Sequence, residues 1–319
     1  MIVDLPDTTA STVSRTLVRL REDGGAVALG RVLTLIIVTS RGEEDAAVEA
    51  ANAASREHPM RVLVAMIDDP DAPARLDAQV RVGAHAGASE VVLLTATGPA
   101  GTSAESLVNA LLLPDAPVVA WWPGTTPPVP SLSQIGAMAQ RRITDAAAQP
   151  DPNGWARSLG DRYAAGDTDL AWTRLTHWRE QLAAALDQPP YEPVVSARVR
   201  GARDSPSTLL LAAWLRLQLG VPVDWGYAPA DRWHSGIRSV RLERASGDIS
   251  LQRVSPDRAL LSRPGQPQQE LLFPRRTLRE CMAEELRRLD ADVLYGRVIT
   301  DGMALLGPAA REAPDDARR

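Results

Sequence analysis

Val32-Leu-Thr-Leu-Ile-Ile-Val-Thr-Ser-Arg-Gly-Glu43 is the stretch that decides the fold. Its first eight residues form an uninterrupted apolar run rich in β-branched side chains, which reads as a strand buried on both faces. Ser40-Arg-Gly-Glu43 then carries the S-x-x-E spacing of a capping box and opens a helix expected to run to about Arg56. A strand covered on both faces and followed at once by a helix is the repeating unit of an α/β layer.

The same rhythm returns on either side. Residues 8 to 23 read as an amphipathic helix with Val13, Leu17, Val18 and Leu20 facing inward. Arg61 to Ile67, Glu90 to Thr95 and Pro117 to Trp121 read as further buried strands, and Ala78 to Val82 alternates like an exposed or edge strand. Thr102-Ser-Ala-Glu105 repeats the capping box before a helix ending near Leu113. A helix from about Ser131 and a short strand at Arg141-Arg-Ile-Thr-Asp145 complete a three-layer, mostly parallel α/β domain. The Ala146 to Gly154 segment is loop-like, and the boundary falls near residue 165.

The second half has a different pattern. Trp172, Leu175, Trp178, Leu182 and Leu186 share one stripe at helical spacing, and Ser205-Pro206 is a helix start. Leu209 to Leu219 is apolar almost all round, so that helix belongs inside its domain. Alternating runs at Ile237 to Arg244, Asp248 to Val254, Ala259 to Ser262 and Glu270 to Phe273 predict an antiparallel meander. Two helices close the domain, the first opened by the capping box Thr277-Leu-Arg-Glu280 and burying Leu278, Cys281, Met282, Leu286 and Leu289. The expectation is an α/β domain over residues 1–165, an α+β domain over 166–306, and a disordered Pro/Ala/charge tail over 307–319.

Composition narrows the chemistry. With 319 residues, 45% hydrophobic and 24% charged, the chain has material for two cores of ordinary size. A formal net charge of −5 argues against a broad nucleic-acid surface. No apolar run approaches the ~20 residues that span a bilayer. The N-terminus lacks the basic and apolar regions of a signal peptide, so a cytoplasmic location is expected. All 35 basic residues are arginine, which excludes Schiff-base, phosphate-loop and general-base lysines. Cys281 is the sole cysteine, and its place on an apolar helical stripe reads as a packed, inert thiol.

Catalytic and cofactor motifs do not emerge. G-x-G-x-x-G is absent, Gly83-Ala-His-Ala-Gly87 being only a superficial likeness, and no G-x-S-x-G elbow occurs. His58, His85, His177 and His234 lack metal-ligand spacing, so neither a metal nor a cofactor is expected. Asp167-Thr-Asp169 reads as a capping cluster ahead of the Trp172 helix, and as a D-x-D metal site only second. Arg141-Arg142 reads as a solvated pair, with anion binding as the alternative. Trp121 and Trp122 end a strand in a Trp-Trp-Pro-Gly turn. Consecutive strand residues face opposite ways, so either both indoles are core or one meets a partner or ligand.

Three blocks carry a resemblance: Leu111-Leu-Leu-Pro-Asp-Ala-Pro-Val-Val-Ala-Trp-Trp-Pro-Gly124, Arg141-Arg-Ile-Thr-Asp145, and Asp169-Leu-Ala-Trp-Thr-Arg-Leu-Thr-His-Trp-Arg179. With Pro206 to Leu215 and Cys281 to Asp290 they resemble the glucose-6-phosphate dehydrogenase assembly protein family, OpcA, over roughly residues 1 to 305. The resemblance implies a non-catalytic protein that binds glucose-6-phosphate dehydrogenase, promotes its active oligomer and raises its activity. It transfers no catalytic residue. In the family's photosynthetic branch the effect is tied to thiol redox state, for which one packed cysteine is a poor basis. Partner contacts are expected at Trp121, Trp122, Pro123, Arg174 and Arg179, since Trp and Arg are the usual interface anchors. The rival expectation is a sugar-phosphate or nucleotide-sugar binding protein or enzyme that uses Asp167, Asp169, Arg141 and Arg142 in an interdomain cleft.

Overall fold

The structure, a computed structural model, describes residues 1–23, 32–83, 90–102, 104–228 and 235–309. His85, Gly87, Ser103, His234 and the tail from residue 310 lie outside the described residues. In chain order the first half carries β1 (Ile2–Leu5), α1 (Ala10–Asp23), β2 (Leu33–Thr39), α2 (Glu44–Ala54), β3 (Met60–Ile67), β4 (Arg75–Arg81), β5 (Glu90–Thr97), α3 (Pro99–Thr102), α4 (Ala104–Asn109), β6 (Val118–Trp121), α5 (Gln134–Met138) and β7 (Arg141–Thr144). The second carries α6 (Pro152–Arg162), β8 (Asp167–Asp169), α7 (Leu170–Thr173), α8 (Thr176–Leu186), β9 (Ser196–Gly201), α9 (Pro206–Leu219), β10 (Val223–Tyr227), β11 (Ile237–Glu243), β12 (Ile249–Arg253), β13 (Arg258–Ser262), β14 (Gln269–Leu272), α10 (Leu278–Arg287) and α11 (Val293–Arg297).

These elements divide into two compact units that interleave along the chain. The first is Met1–Asp145 with Ala164–Thr168 and Thr277–Ala291, and the second takes Ala146–Tyr163, Asp169–Arg276 and the residues from Asp292. The chain therefore crosses between them at several points besides the one near residue 165.

The first unit is built on an 8-stranded sheet in the order β1-β4-β5-β3-β2-β6-β7-β8. β5, β3, β2, β6 and β7 pair in parallel, while β4 and β1 run antiparallel to their neighbours. β4 is thus not an edge strand: β1, too short to stand out in the sequence, covers it. Taken in chain order, the five parallel strands lie 3-2-1-4-5, a doubly wound order with its switch point between β2 and β6. One face of the sheet packs Ile36, Leu63, Val92, Ala120 and Trp122 against Val13, Leu17 and Leu20 of α1 and Val108 of α4. Val18, expected inward, is 48% exposed, because α1 buries a narrower stripe than its composition allows.

On the opposite face α2 lies beside α10, with Arg279 to Glu49 at 3.1 Å and Arg287 to Glu57 at 3.4 Å along their exposed flanks. α10 therefore belongs to the first unit, although its sequence position made it a closing helix of the second. Its capping box forms as expected: Thr277 accepts from the Glu280 amide and Glu280 from the Thr277 amide. Thr277→Ala is expected to cost about 1 kcal/mol. A urea titration should show a lower midpoint with an unchanged slope.

The second unit holds a 6-stranded sheet in the order β10-β9-β11-β12-β13-β14. β11 to β14 form the expected antiparallel meander, and β9 and β10 add a parallel pair. α9 is buried from Pro206 to Ala213, as its continuous apolar run requires, among Trp172, Trp178, Val199, Trp225 and Val240. The supposed single helix through Trp172 is broken into α7 and α8. The loop-like Ala146 to Gly154 ends in a helix start, with Asp151 capping α6 and Pro152 at its first position. Among the described residues, no helix is long and apolar enough to cross a membrane.

Candidate functional site

The Trp-Trp turn closes β6 inside the first unit. Trp121 is 0% and Trp122 3% exposed, on opposite faces, with the Trp122 amide donating to the Ile143 carbonyl at 3.0 Å. Register places Trp121 beside Ile37 and Ile143, on the α2 and α10 face. Its indole N–H has no partner among the described residues. Both indoles are therefore core, and of this turn Pro123 and Gly124 are the half-buried part.

The switch point between β2 and β6 is where a doubly wound sheet offers a ligand crevice. Here the loop after β2 is Ser40-Arg-Gly-Glu43, and α2 begins with Glu44 and Asp45. The anticipated capping box is absent. Glu43 occupies the cap position without a side-chain bond, and its amide donates to the Ser40 carbonyl at 3.2 Å. Gly42, at φ 85°, turns the chain so that its amide donates to Glu44 Oε2 at 2.6 Å. The positive end of α2, where a dinucleotide phosphate would sit, is thus answered by carboxylates of the chain itself.

Arg141 and Arg142 are not a solvated pair. Arg141 donates to Glu285 Oε2 at 2.5 Å and to the Asp290 carbonyl at 2.7 Å, with both side chains of the ion pair 5% exposed. Arg142 is paired with Asp167 and donates to the carbonyls of Ala139 and Ala165. The guanidiniums tie β7 to α10 and to the segment before β8, a use for buried arginine that needs long-range partners. Asp169 accepts from the amides of Ala146 and Ala171 and caps α7, whereas Asp167 is held by Arg142 and the Ala164 amide. The two carboxylates thus have separate structural duties. Among the described residues, no group of three or more His, Cys, Asp and Glu could hold a metal ion.

Arg174 and Arg179 lie in the second unit. Arg179 stacks on Trp172 at 3.8 Å, and Trp172 donates its indole N–H to Asp292 at 2.8 Å. Arg174 instead lines a cavity of about 310 Å³ with Arg253, Arg275 and Arg276. The cavity sits at the start of α9, where Ser205, Pro206 and Ser207 form part of its wall. Trp178 and Phe273, ring centroids 5.1 Å apart and edge to face, supply an apolar side. Burial, and next the charge of Arg275, pushes the Arg253 pKa down to about 10, and burial lowers that of Arg275 too. The sequence reading picked out Arg174 and the Ser205-Pro206 start but not their convergence, because the wall is gathered from separate loops.

Comparison with known proteins gives a consistent family signal. Residues 51–160 match the glucose-6-phosphate dehydrogenase subunit N-terminal domain, and residues 165–299 match the corresponding C-terminal domain. A Nostoc punctiforme protein bearing the name OxPP cycle protein OpcA is 26% identical over 173 residues, 52% of this chain and 34% of its own length. The chain thus spans about a third of the curated relative it matches. An oxidoreductase from Sinorhizobium meliloti is 12% identical at a TM-score of 0.49, over 85% of this chain and 94% of the other. A glucose-6-phosphate 1-dehydrogenase from Mycobacterium avium is 11% identical at a TM-score of 0.42, over 86% of this chain and 91% of that one.

Proposed function

Because the chain belongs to the glucose-6-phosphate dehydrogenase assembly protein family, OpcA, we propose that it is a non-catalytic, cytoplasmic assembly factor that binds glucose-6-phosphate dehydrogenase and favours its active oligomer. The observation that carries this reading is the pair of family domains, matched in order over residues 51–160 and 165–299. The site geometry supports it in two ways. At the switch point the α2 start carries the carboxylates of Glu44 and Asp45, with Glu44 bonded to the Gly42 amide, and Asp167 and Asp169 each serve the fold.

Mechanistically, the chain acts by binding the active assembly more tightly than its dissociated or inactive forms. Only such a difference in affinity shifts a population. Pro123, Arg174 and Arg179 are the proposed contacts. Trp121 and Trp122 serve from inside the core by fixing the turn that presents Pro123. The dehydrogenase supplies the cofactor and all catalytic groups, and neither nucleic acid nor membrane takes part.

The test is a titration of the purified chain into its cognate dehydrogenase at sub-saturating glucose 6-phosphate. The rate is expected to rise about fivefold or more, the lower range of ordinary coupling energies. Unchanged kinetics at saturating chain would remove the activator reading.

A further inference from the structure

β14 is the last strand of the 6-stranded sheet, and among the described residues it pairs on one side only, with β13. Such an edge offers main-chain donors and acceptors to any strand that fits it. Natural edges are commonly blunted by proline or by a bulge. β14 has no proline, its register with β13 runs without a shift, and it ends in Leu272, which is 75% exposed. A leucine alone on a surface needs no explanation. On an unpaired edge it adds an apolar contact to a row of open hydrogen-bonding groups.

The ladder determines which groups are open. The Phe273 amide donates to the Asp257 carbonyl at 2.6 Å, and the Arg258 carbonyl turns away from β14 to accept from the Val254 amide at 3.0 Å. Bonding direction alternates along an antiparallel strand. Gln269, Leu271 and Phe273 therefore turn their main-chain groups to β13, and Glu270 and Leu272 turn theirs outward. The side chains alternate as well. Leu271 packs against the core of the second unit, while Glu270 and Leu272 lie on the other face beside Leu260 and Arg258.

Two outward residues separated by one inward residue make the edge complementary to itself, provided the register is right. A two-fold register centred on Glu270 sets that carboxylate opposite its own mate. One centred on Leu272 sets Glu270 opposite Pro274, which has no N–H to give. Centred on Leu271, the register sets Glu270 opposite Leu272 of the second copy, and Leu272 opposite Glu270. Each of these pairs exchanges both of its main-chain hydrogen bonds. The Leu271 side chains then meet on the core side, and the Leu272 side chains become diagonal neighbours on the other face. Glu270 keeps its own Arg258, at 2.8 Å, throughout.

We propose that β14 is a self-association edge: two copies of the chain pair β14 to β14, antiparallel and centred on Leu271, joining their 6-stranded sheets. The contact is isologous, each residue meeting in the second copy the residue that meets it. One short strand per copy makes a small interface, so the dimer is weak and reversible, below the roughly 800 Å² per partner of a standard complex. The inference goes beyond the assembly reading and needs no dehydrogenase.

The experiment follows the mass of the full chain alone by sedimentation from about 1 µM to about 1 mM. The mass is expected to rise towards twice that of the single chain. Leu272→Pro removes an outward N–H that the chain's own ladder does not use, and proline is tolerated at such edge positions. It should leave the thermal midpoint unchanged and abolish the rise. Leu272→Glu and Leu272→Lys remove the same leucine but meet Glu270 of the second copy with opposite outcomes. The glutamate variant is expected to dimerise about tenfold or more weakly than the lysine variant. The register has its own readout. Leu271→Cys brings two thiols across the two-fold axis within disulfide reach, whereas those of Gln268→Cys stand about 20 Å apart. Cys281 is buried, so mild oxidation should cross-link Leu271→Cys and not Gln268→Cys. A single-chain mass up to about 1 mM overturns the proposal. So does a dimer that Leu272→Pro and Leu272→Glu both leave intact, or one in which Gln268→Cys cross-links as readily as Leu271→Cys. None of these results bears on activation of the dehydrogenase, and failure to activate it leaves the edge pairing standing.

Discussion

Trp121→Ala is expected to destabilise the first unit by about 3–5 kcal/mol, the usual cost of emptying a buried aromatic site. Trp121 is 0% exposed on a strand flanked on both sides by parallel neighbours. The surrounding strands cannot collapse into the space without breaking their ladders, so the cavity persists. With total stabilities of about 5–15 kcal/mol, a loss of this size should show as poor soluble yield or a much reduced urea midpoint. Trp121→Phe discriminates the cause. It keeps an aromatic body while removing an indole N–H that has no partner among the described residues. The loss of volume is then partly offset by relief of that unpaired donor, worth about 1–3 kcal/mol. The phenylalanine variant should therefore stay close to the parent. A drop as large as that of Trp121→Ala would mean that the indole N–H has a partner.

Glu285→Ala is expected to cost a similar about 3–5 kcal/mol, for an electrostatic reason. It leaves the Arg141 guanidinium buried without its carboxylate at the junction of β7 and α10, with the Asp290 carbonyl as its remaining acceptor among the described residues. The paired replacement Arg141→Met with Glu285→Leu removes both charges and fills the same space. It should recover most of the loss, because an apolar pair of similar volume competes well with a buried ion pair. Denaturation midpoints of the single and double variants decide the matter. A double variant as unstable as Glu285→Ala would show that the loss is one of packing.

The parallel layer was legible because its strands are continuous apolar runs, a signal that needs no knowledge of neighbours. β1 was not: Ile2–Leu5 is four residues long, and its role as cover for β4 exists only through pairing. Thr277 and Glu280 announced α10 three residues apart, yet its place beside α2 depends on contacts some 230 residues distant, such as Arg279 to Glu49. Arg141 and Arg142 illustrate the same limit for charge. Arginine is ordinarily exposed, so a solvated pair is the rational expectation, and only Glu285 and Asp167 in three dimensions reverse it.

The Trp-Trp-Pro-Gly turn was conspicuous for its residue types, and burial of both indoles moves any contact role to its rim at Pro123. The arginine cavity was invisible for the opposite reason. In a chain whose 35 basic residues are all arginine, no single one is distinctive, and only folding brings Arg174, Arg253, Arg275 and Arg276 around one cavity.

Stabilisation of the active dehydrogenase assembly by this chain, as proposed above, has a direct physical readout. The most direct test dilutes the cognate glucose-6-phosphate dehydrogenase until its oligomer dissociates, then adds the chain and follows particle mass and activity together. A heavier species containing both proteins is expected, with activity returning in proportion to it. A dehydrogenase mass distribution that ignores the chain, at concentrations where the chain is in clear excess, would contradict it.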